Sequence, residues 1–399
     1  MKHLAFIAAL VAPTFVLANP NPSDWDAVTA EASGQTVYWN AWGGSTTTND
    51  FLAWVGDRVL EDYGVVLEHV KLNDTAAAVT RVLSEKQAGE DDDGAIDMIW
   101  INGSNFAAMK DADLLFGPYA EQLPNWAFVD VNGKTVQTDF TVPIEGYESP
   151  WAMAQVVFVQ NTATMPDSIG SMGALLEWAQ ANPGRFSYPQ PPDFLGTTFL
   201  KQALVDILDD PSVLQSAATD ENYDEVTSPL WVYLDALTPH LWRAGRAYPA
   251  TGTAMFPLIA DGELDLSISF SPGAASTAIA NFELPDTVRT FVLEKGTIGN
   301  ASFVAIPYNS GSTAGAMVVA NFLMSPKAQA RAQDPNILGY GTVLNMDALS
   351  DDDRSAFDAL ELGIATLSPA ELGTVQAEPH PSWMTRIADD WANRYGTGQ

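Results

Sequence analysis

Short runs of β-branched and aromatic residues alternate along this chain with helical apolar stripes, and polar, glycine-containing loops separate them. Thr36–Trp39 predicts a short buried strand. Gly43 and Gly44 break it, because glycine takes backbone angles that other residues avoid. After the polar run Ser45–Asn49, Asn49 or Thr48 is expected to cap a helix running to about Glu61. Leu52, Val55 and Val59 give that helix its apolar face, with Phe51 and Trp54 alongside, and Tyr63-Gly64 ends it. Val65–Val70 predicts a second strand. Thr75 then caps a second helix, with Val79, Val82 and Leu83 inward and an end near Gly89. Ile96–Ile101, IDMIWI, is a third and nearly all-apolar strand, followed by Asn102-Gly103-Ser104-Asn105-Phe106 and a short helix. This β-α-β-α-β order within about 70 residues implies parallel pairing through right-handed crossovers. The corners after the first and third strands then emerge at one sheet edge, and both are rich in Gly, Ser, Thr and Asn. Unpaired N–H groups at helix starts make such corners ligand sites in open α/β sheets.

The pattern continues differently beyond residue 126. Asn132-Gly133 between alternating apolar residues predicts a hairpin over Ala127–Thr138. Ser149–Asn161, SPWAMAQVVFVQN, reads as one long strand or a pair, leaving the first lobe. Phe186–Pro189 opens a second α/β unit, and a Pro-rich turn, Gln190–Asp193, leads to Gly196-Thr197-Thr198 at the start of an apolar helix. Pro229–Trp242 and Thr253–Asp261 read as helices, the second limited by Pro257. Leu264–Phe270, LDLSISF, is a buried strand ending in Ser271-Pro272-Gly273, with a helix over Ala274–Ala280. Val288–Leu293 and Gly299–Ile306 are further strands, the latter expected to cross back to the first lobe. Gly315–Met324 is helical. In the acidic tail from Asp347, the spacing of Trp383, Met384, Ile387 and Trp391 buries one stripe. No internal repeat or low-complexity segment is present.

The leading residues change the picture of where the chain works. Lys2 and His3 precede an apolar run from Leu4 to Ala12, and Val16-Leu17-Ala18 gives small or apolar residues before a cleavage point. Residues 1–18 therefore read as a secretory signal peptide, too short for a membrane span, with a mature chain from near Asn19; a buried first helix is the other reading. No later stretch approaches the ~18 uninterrupted apolar residues of a membrane span, so a soluble exported protein is expected. The chain has no cysteine, which excludes disulfides, thiolate metal ligands, Cys nucleophiles and a lipidated cysteine at the cleavage site. The 399 residues suggest two domains, and 47% hydrophobic against 17% charged residues suffices for large cores. The net charge of −32 argues against a nucleic-acid partner, which needs a basic footprint. The acids are spread over the whole chain, so a saline-habitat surface explains them better than cation capture. Glu90–Asp93 lacks the spacing of a calcium loop and reads as a solvated turn.

The motifs in order resemble a known family, the periplasmic solute-binding proteins of ABC importers, near the branch of thiamine, polyamine and iron(III) binders. The resemblance rests on the leader, VYWNAWGG, IDMIWING, SPWAMAQVVFVQN, LDLSISFSPG, GTIGNASFVAIP and the terminal WMTRIADDWANRY. It covers essentially the whole mature chain. It implies an α/β protein of two lobes (the type II-like periplasmic-binding-protein fold), each with a central, mostly parallel sheet flanked by helices, and hinge closure around a ligand in the cleft. The lobes would comprise residues 19–148 plus 301–345 and residues 149–300, with the helical segment 346–399 packed on them. It also implies a monomer, free in the periplasm, that docks transiently on a membrane permease and needs no cofactor.

By the same resemblance the cleft is lined by Trp42, Gly43, Gly44 and Ser45; by Asn102, Gly103, Ser104, Asn105 and Phe106; by Gln190 to Thr197, including Asp193, Phe194, Gly196 and Thr197; and by Ser269, Ser271 and Gly273. Trp151, Gln155, Asn300 and Ser302 sit at the crossovers. The hydroxyls and amides suit an anion or neutral polar group, while Trp42, Phe106, Trp151 and Phe194 would give flat walls for a planar or cationic one. Asp193 is the one acid near the mouth and can pair with an amine. Each of these residues also has a plain alternative: turn formation and capping for Ser and Asn, core packing for Trp, as read for Trp39 and Trp100. The paired tyrosines of iron(III) binders are missing, and His69, His240 and His380 are scattered, so no metal site is expected.

An enzyme is the competing class, a secreted α/β hydrolase using cleft carboxylates. No G-x-S-x-G elbow, H-E-x-x-H or P-loop occurs, and Gly339-Tyr340-Gly341 lacks the rest of a dinucleotide fingerprint. An adhesive extracellular protein would be strand-rich and repetitive, unlike this pattern. The ligand stays open among phospho- or sulfo-organics, thiamine-like cations, polyamines and small peptides, with polyamines ranked low because only one acid is placed in the cleft.

Overall fold

A computed structural model describes residues 20–396, so the expected leader lies outside the described residues. After helix α1 (Trp25–Ala32), strand β1 (Thr36–Trp42) is followed by α2 (Thr46–Tyr63), β2 (Val66–Leu72), α3 (Ala76–Ala88), β3 (Met98–Ile101) and α4 (Ser104–Asp111). β1 lies between β2 and β3 and is parallel to both, as the crossover argument requires. The cap of α2 is Ser45, three or four residues earlier than the apolar pattern suggested, and its hydroxyl accepts from Thr48 N at 3.4 Å. Gly64 and Gly89 end α2 and α3 in the left-handed region, at φ +71 and +76. Thr75 precedes α3 but does not cap it; its hydroxyl bonds Trp100 O instead, at 3.1 Å.

The expected hairpin at Asn132-Gly133 does not form. Asp130 accepts from Gly133 N, making a local turn, while the flanking backbone pairs with the distant stretch Val343–Leu344. Lys134 adds bonds to Thr342 O and Leu344 O, so tertiary pairing outweighs the local turn signal. The true hairpin is the short pair β4 (Thr138–Asp139) and β5 (Val142–Pro143), turning at Phe140-Thr141.

SPWAMAQVVFVQN forms two strands, β6 (Glu148–Gln155) and β7 (Val157–Asn161), and the chain changes lobe at Val156 between them. Then come α5 (Met172–Ala181), α6 (Phe194–Ile207), α7 (Tyr223–Leu237), α8 (Met255–Ala260), β8 (Leu266–Ser269), α9 (Ala274–Ala280) and β9 (Val288–Phe291). The small lobe's sheet is β8-β7-β9, with both neighbours antiparallel to β7. This corrects the expectation of a mostly parallel sheet there. Phe186 alone makes a parallel bridge to Leu266, since prolines at 189, 191 and 192 cannot donate to a ladder. β10 (Thr297–Ala305) returns to the large lobe, antiparallel to β3 on one edge and to β6 on the other.

The remaining elements are α10 (Thr313–Leu323), α11 (Pro326–Gln333), α12 (Asp351–Asp358), α13 (Pro369–Leu372), β11 (Val375–Gln376) and α14 (Pro381–Tyr395). The tail splits between lobes. Phe357 joins the large-lobe core of Trp39, Phe51 and Trp151, while Trp383, Ile387 and Trp391 are fully buried in the small-lobe core with Phe186, Phe199 and Tyr188. Three passages thus tie the lobes: β6 into β7, β9 into β10, and the tail between Phe357 and Ala365, the latter packed in the small lobe with Val157 and Val159. Among the described residues no helix is long and apolar enough to cross a membrane.

Candidate functional site

The large lobe presents two strand-end corners toward the small lobe. At the first, Gly43 N bonds Leu72 O and the Lys71 side chain fills the space a Cβ on Gly43 would need. The half-buried Trp42 indole folds over Gly44, where a Cβ would lie 2.5 Å from the ring. Two glycines are therefore needed for close approach, and Asn49 Nδ2 holds the loop through Gly43 O. At the second corner, Asn102 Nδ2 bonds Ala301 O (2.7 Å) and Asp139 Oδ1 (3.3 Å), and Gly103 N bonds Asp139 Oδ2 (2.5 Å). Gly103 has φ +60, and the Phe140 ring occupies its Cβ position. Ser104 and Asn105 are half-buried, whereas Phe106 is wholly in the core, on the inner face of α4, and forms no wall.

The small lobe answers with the start of α6 and the end of β8. Asp193 caps α6, taking Leu195 N and Gly196 N on one oxygen and Gly252 N on the other. Burial raises its pKa, those N–H groups pull it back, and Asp74 from the large lobe raises it further. Asp193 is thus the cap of α6, with Gly252 N the single partner of its second oxygen, which keeps acceptor capacity. Phe194 is 40% exposed and meets Phe270 edge to face at 5.3 Å. Gly196 is buried against Pro189, and Thr197 bonds back to Asp193 O. Ser269 Oγ donates to Ser271 O, while the buried Ser271 Oγ has no partner. Gly273 touches Gly339 of the large lobe.

The crossover residues divide. Trp151 is fully buried, stacked on Phe51 at 6.1 Å and edge-on to Trp100 at 4.8 Å, with Tyr340 at 5.9 Å. It is core rather than cleft wall, and Trp100, half-buried, packs against the same core. Gln155 Nε2 binds Thr297 Oγ1 and Leu372 O, fastening the crossing strands to the tail. Ser302 is 8% exposed beside Asn300 on β10.

A polar node at the lobe boundary was missed by sequence reasoning. Lys201 of α6 has no exposure, and its Nζ lies 2.6 Å from Glu378 Oε2 and 4.4 Å from the centre of the Phe140 ring. Asn300 Nδ2 binds the other Glu378 oxygen at 3.0 Å. Burial pushes Glu378 up, and Lys201 and Asn300 oppose it. Asp139 is pushed up to about 8, chiefly by burial, against the N–H donors of Gly103 and Asn102; Glu378 adds to the rise and Lys201 reduces it. Glu148, fully buried with neither carboxyl oxygen partnered, is raised well above the usual range by burial and by Asp139. The only signal for this node is one lysine inside the apolar stretch Phe199–Ile207. Asp193, Asp139 and Glu378 are thus held in a cap, a backbone clamp and an ion pair. Among the described residues no group of three or more His, Cys, Asp or Glu is placed to hold a metal.

Two lobes, crossing strands and strand-end corners facing a shared boundary match known proteins. The family of bacterial extracellular solute-binding proteins matches residues 54–353. The chain belongs to this family. It is 42% identical over 397 residues to the protein YnjB of Escherichia coli (strain K12), covering 100% of both chains. In fold it is similar to the periplasmic binding protein AfuA of Actinobacillus pleuropneumoniae, solved with fructose-6-phosphate (TM-score 0.64, 13% identity, 92% of this chain and 100% of that one). It is also similar to the spermidine/putrescine substrate-binding protein PotD of Streptococcus pneumoniae (TM-score 0.56, 14% identity, 90% and 99%).

Proposed function

We propose that this member of the solute-binding family captures a small polar organic solute, neutral or cationic, between its lobes. As the binding component of an ABC-type importer, it then delivers the solute to a membrane permease. It works as a monomer in the periplasm after export. The observation that carries this reading is the lining itself. Four strand-end or helix-start corners, two from each lobe, bring amides, hydroxyls and the aromatic faces of Trp42 and Phe194 to the boundary between the lobes. Such a lining suits binding and orienting a polar solute. Closure can be driven by solute only as far as the closed form binds it better.

A thermal-shift screen of residues 19 onward, unfolded and refolded to strip bound solute, tests the reading. One chemical class should raise the melting temperature increasingly with concentration and yield no product; at 100 times Kd the gain is about 2.7 kcal/mol. No response to vitamins, amines, amino acids, sugars or phosphonates would refute it, as would turnover of the responding compound.

A further inference from the structure

Gly273 and Gly339 come from different lobes, and their backbones touch. A Cβ on Gly273 would overlap Gly339 Cα and stand 2.6 Å from Gly339 O; a Cβ on Gly339 would stand 2.6 Å from Gly273 Cα. Gly339 has φ +64, which by itself favours glycine. Gly273 has φ −89, which any residue adopts. Backbone geometry therefore does not call for glycine at 273; the contact does. One turn along α9, Thr277 Oγ1 donates to Pro335 O at 2.5 Å, a second bond across the same seam. Each side is anchored in its own lobe: Ala275 and Ala278 in a small-lobe core, and Leu338, Val343 and Leu344 in the large-lobe core.

The seam lies close to the hinge. Gly341, two residues past Gly339, bridges Met153 on β6, and the strand changes lobe three residues later at Val156. A wedge near a hinge axis is amplified at the cleft mouth. The seam also joins the two sides of the cleft: Phe270 and Ser271 precede Gly273, and Tyr340 follows Gly339.

We infer that the Gly273–Gly339 seam is the closure stop of this protein. It sets how nearly the lobes meet, and through that the affinity for the solute, without either glycine needing to touch it. Both are positioning residues. The inference rests on the binding reading above. A methyl at 273 needs roughly 1 Å more room to reach ordinary van der Waals separation. That room is gained only when the two lobes part at the seam.

The cysteine-free chain gives a clean test. Leu60 on α2 and Val232 on α7 are exposed, one on each lobe. Spin labels on a Leu60→Cys/Val232→Cys parent report the interlobe distance by double electron–electron resonance. In the ligand-free chain, adding Gly273→Ala should move the distance distribution outward, with the melting temperature kept. Thr277→Val, which removes the bond without adding bulk, should give a smaller outward shift. If the screen has identified a solute, Gly273→Ala should weaken it at least about tenfold, mainly through faster release. Identical distributions in parent and variants would overturn the inference. So would a large fall in melting temperature with unchanged distance, which marks a permanent packing contact. A screen without any binder would defeat the binding reading alone, because the distances are measured without solute.

Discussion

Lys201→Met tests the buried node most sharply, because methionine keeps the volume and removes only the charge. Lys201 and Glu378 are 0% and 2% exposed as side chains, and after the change Glu378 keeps a single bond, from Asn300. Removing one partner of a buried ion pair costs about 3–5 kcal/mol, mostly because the survivor stays charged in a poorly solvating place. Glu378 can escape by taking a proton. Its pKa is already raised in the folded chain and would rise further without the ammonium. A carboxyl raised on folding contributes stability below its unfolded pKa and loses it as pH rises through the folded one. The variant should therefore lose most at pH 8 and clearly less at pH 5. Urea midpoints at both pH values measure this. In Lys201→Met/Glu378→Gln no charge is left behind, so stability should return to within about 1 kcal/mol of the parent. A single variant within about 1 kcal/mol of the parent at pH 8, or a double variant no better than the single, would refute the reasoning.

Asp139, raised to about 8 by burial, should contribute a fall in stability of about 1.4 kcal/mol per pH unit as pH climbs from the usual carboxylate range toward 8. Asp139→Asn should flatten the stability profile over that window, which urea titrations at several pH values will show. Phe194→Ala removes a 40% exposed ring, so stability should change by less than about 1 kcal/mol while solute affinity falls about tenfold in calorimetric titration. Asp193→Ala strips the cap of α6 and should cost about 1–2 kcal/mol in urea denaturation without any solute present.

Much of the fold was legible because its signals are local. The apolar run IDMIWI and the glycines after β1 place two corners, and of the expected stripe Trp383, Met384, Ile387 and Trp391 all but the half-buried Met384 are fully buried. What failed was set by distant partners. Asn132-Gly133 carries a hairpin signal, yet Lys134 is held by carbonyls more than 200 positions away. Lys201 and Glu378 are separated by 177 positions, and nothing in either neighbourhood announces the other. Trp151 was read as cleft wall because it begins a crossover strand, but which face of that strand it takes depends on Phe51 and Trp100 lying beneath it. Asp193 illustrates the same limit: a lone acid before a helix reads as a ligand or a cap, and its bonds from the N–H groups of Leu195, Gly196 and Gly252, the last 59 positions away, are seen only in the fold.

The central claim is that the interlobe cleft holds one small solute per chain. Native mass spectrometry of the purified protein, before and after unfolding and refolding, tests it directly. The account predicts an added mass of one small organic molecule, lost on unfolding and regained from the solute found in the screen. A bare chain mass in every preparation, together with no regain from any compound, would contradict it.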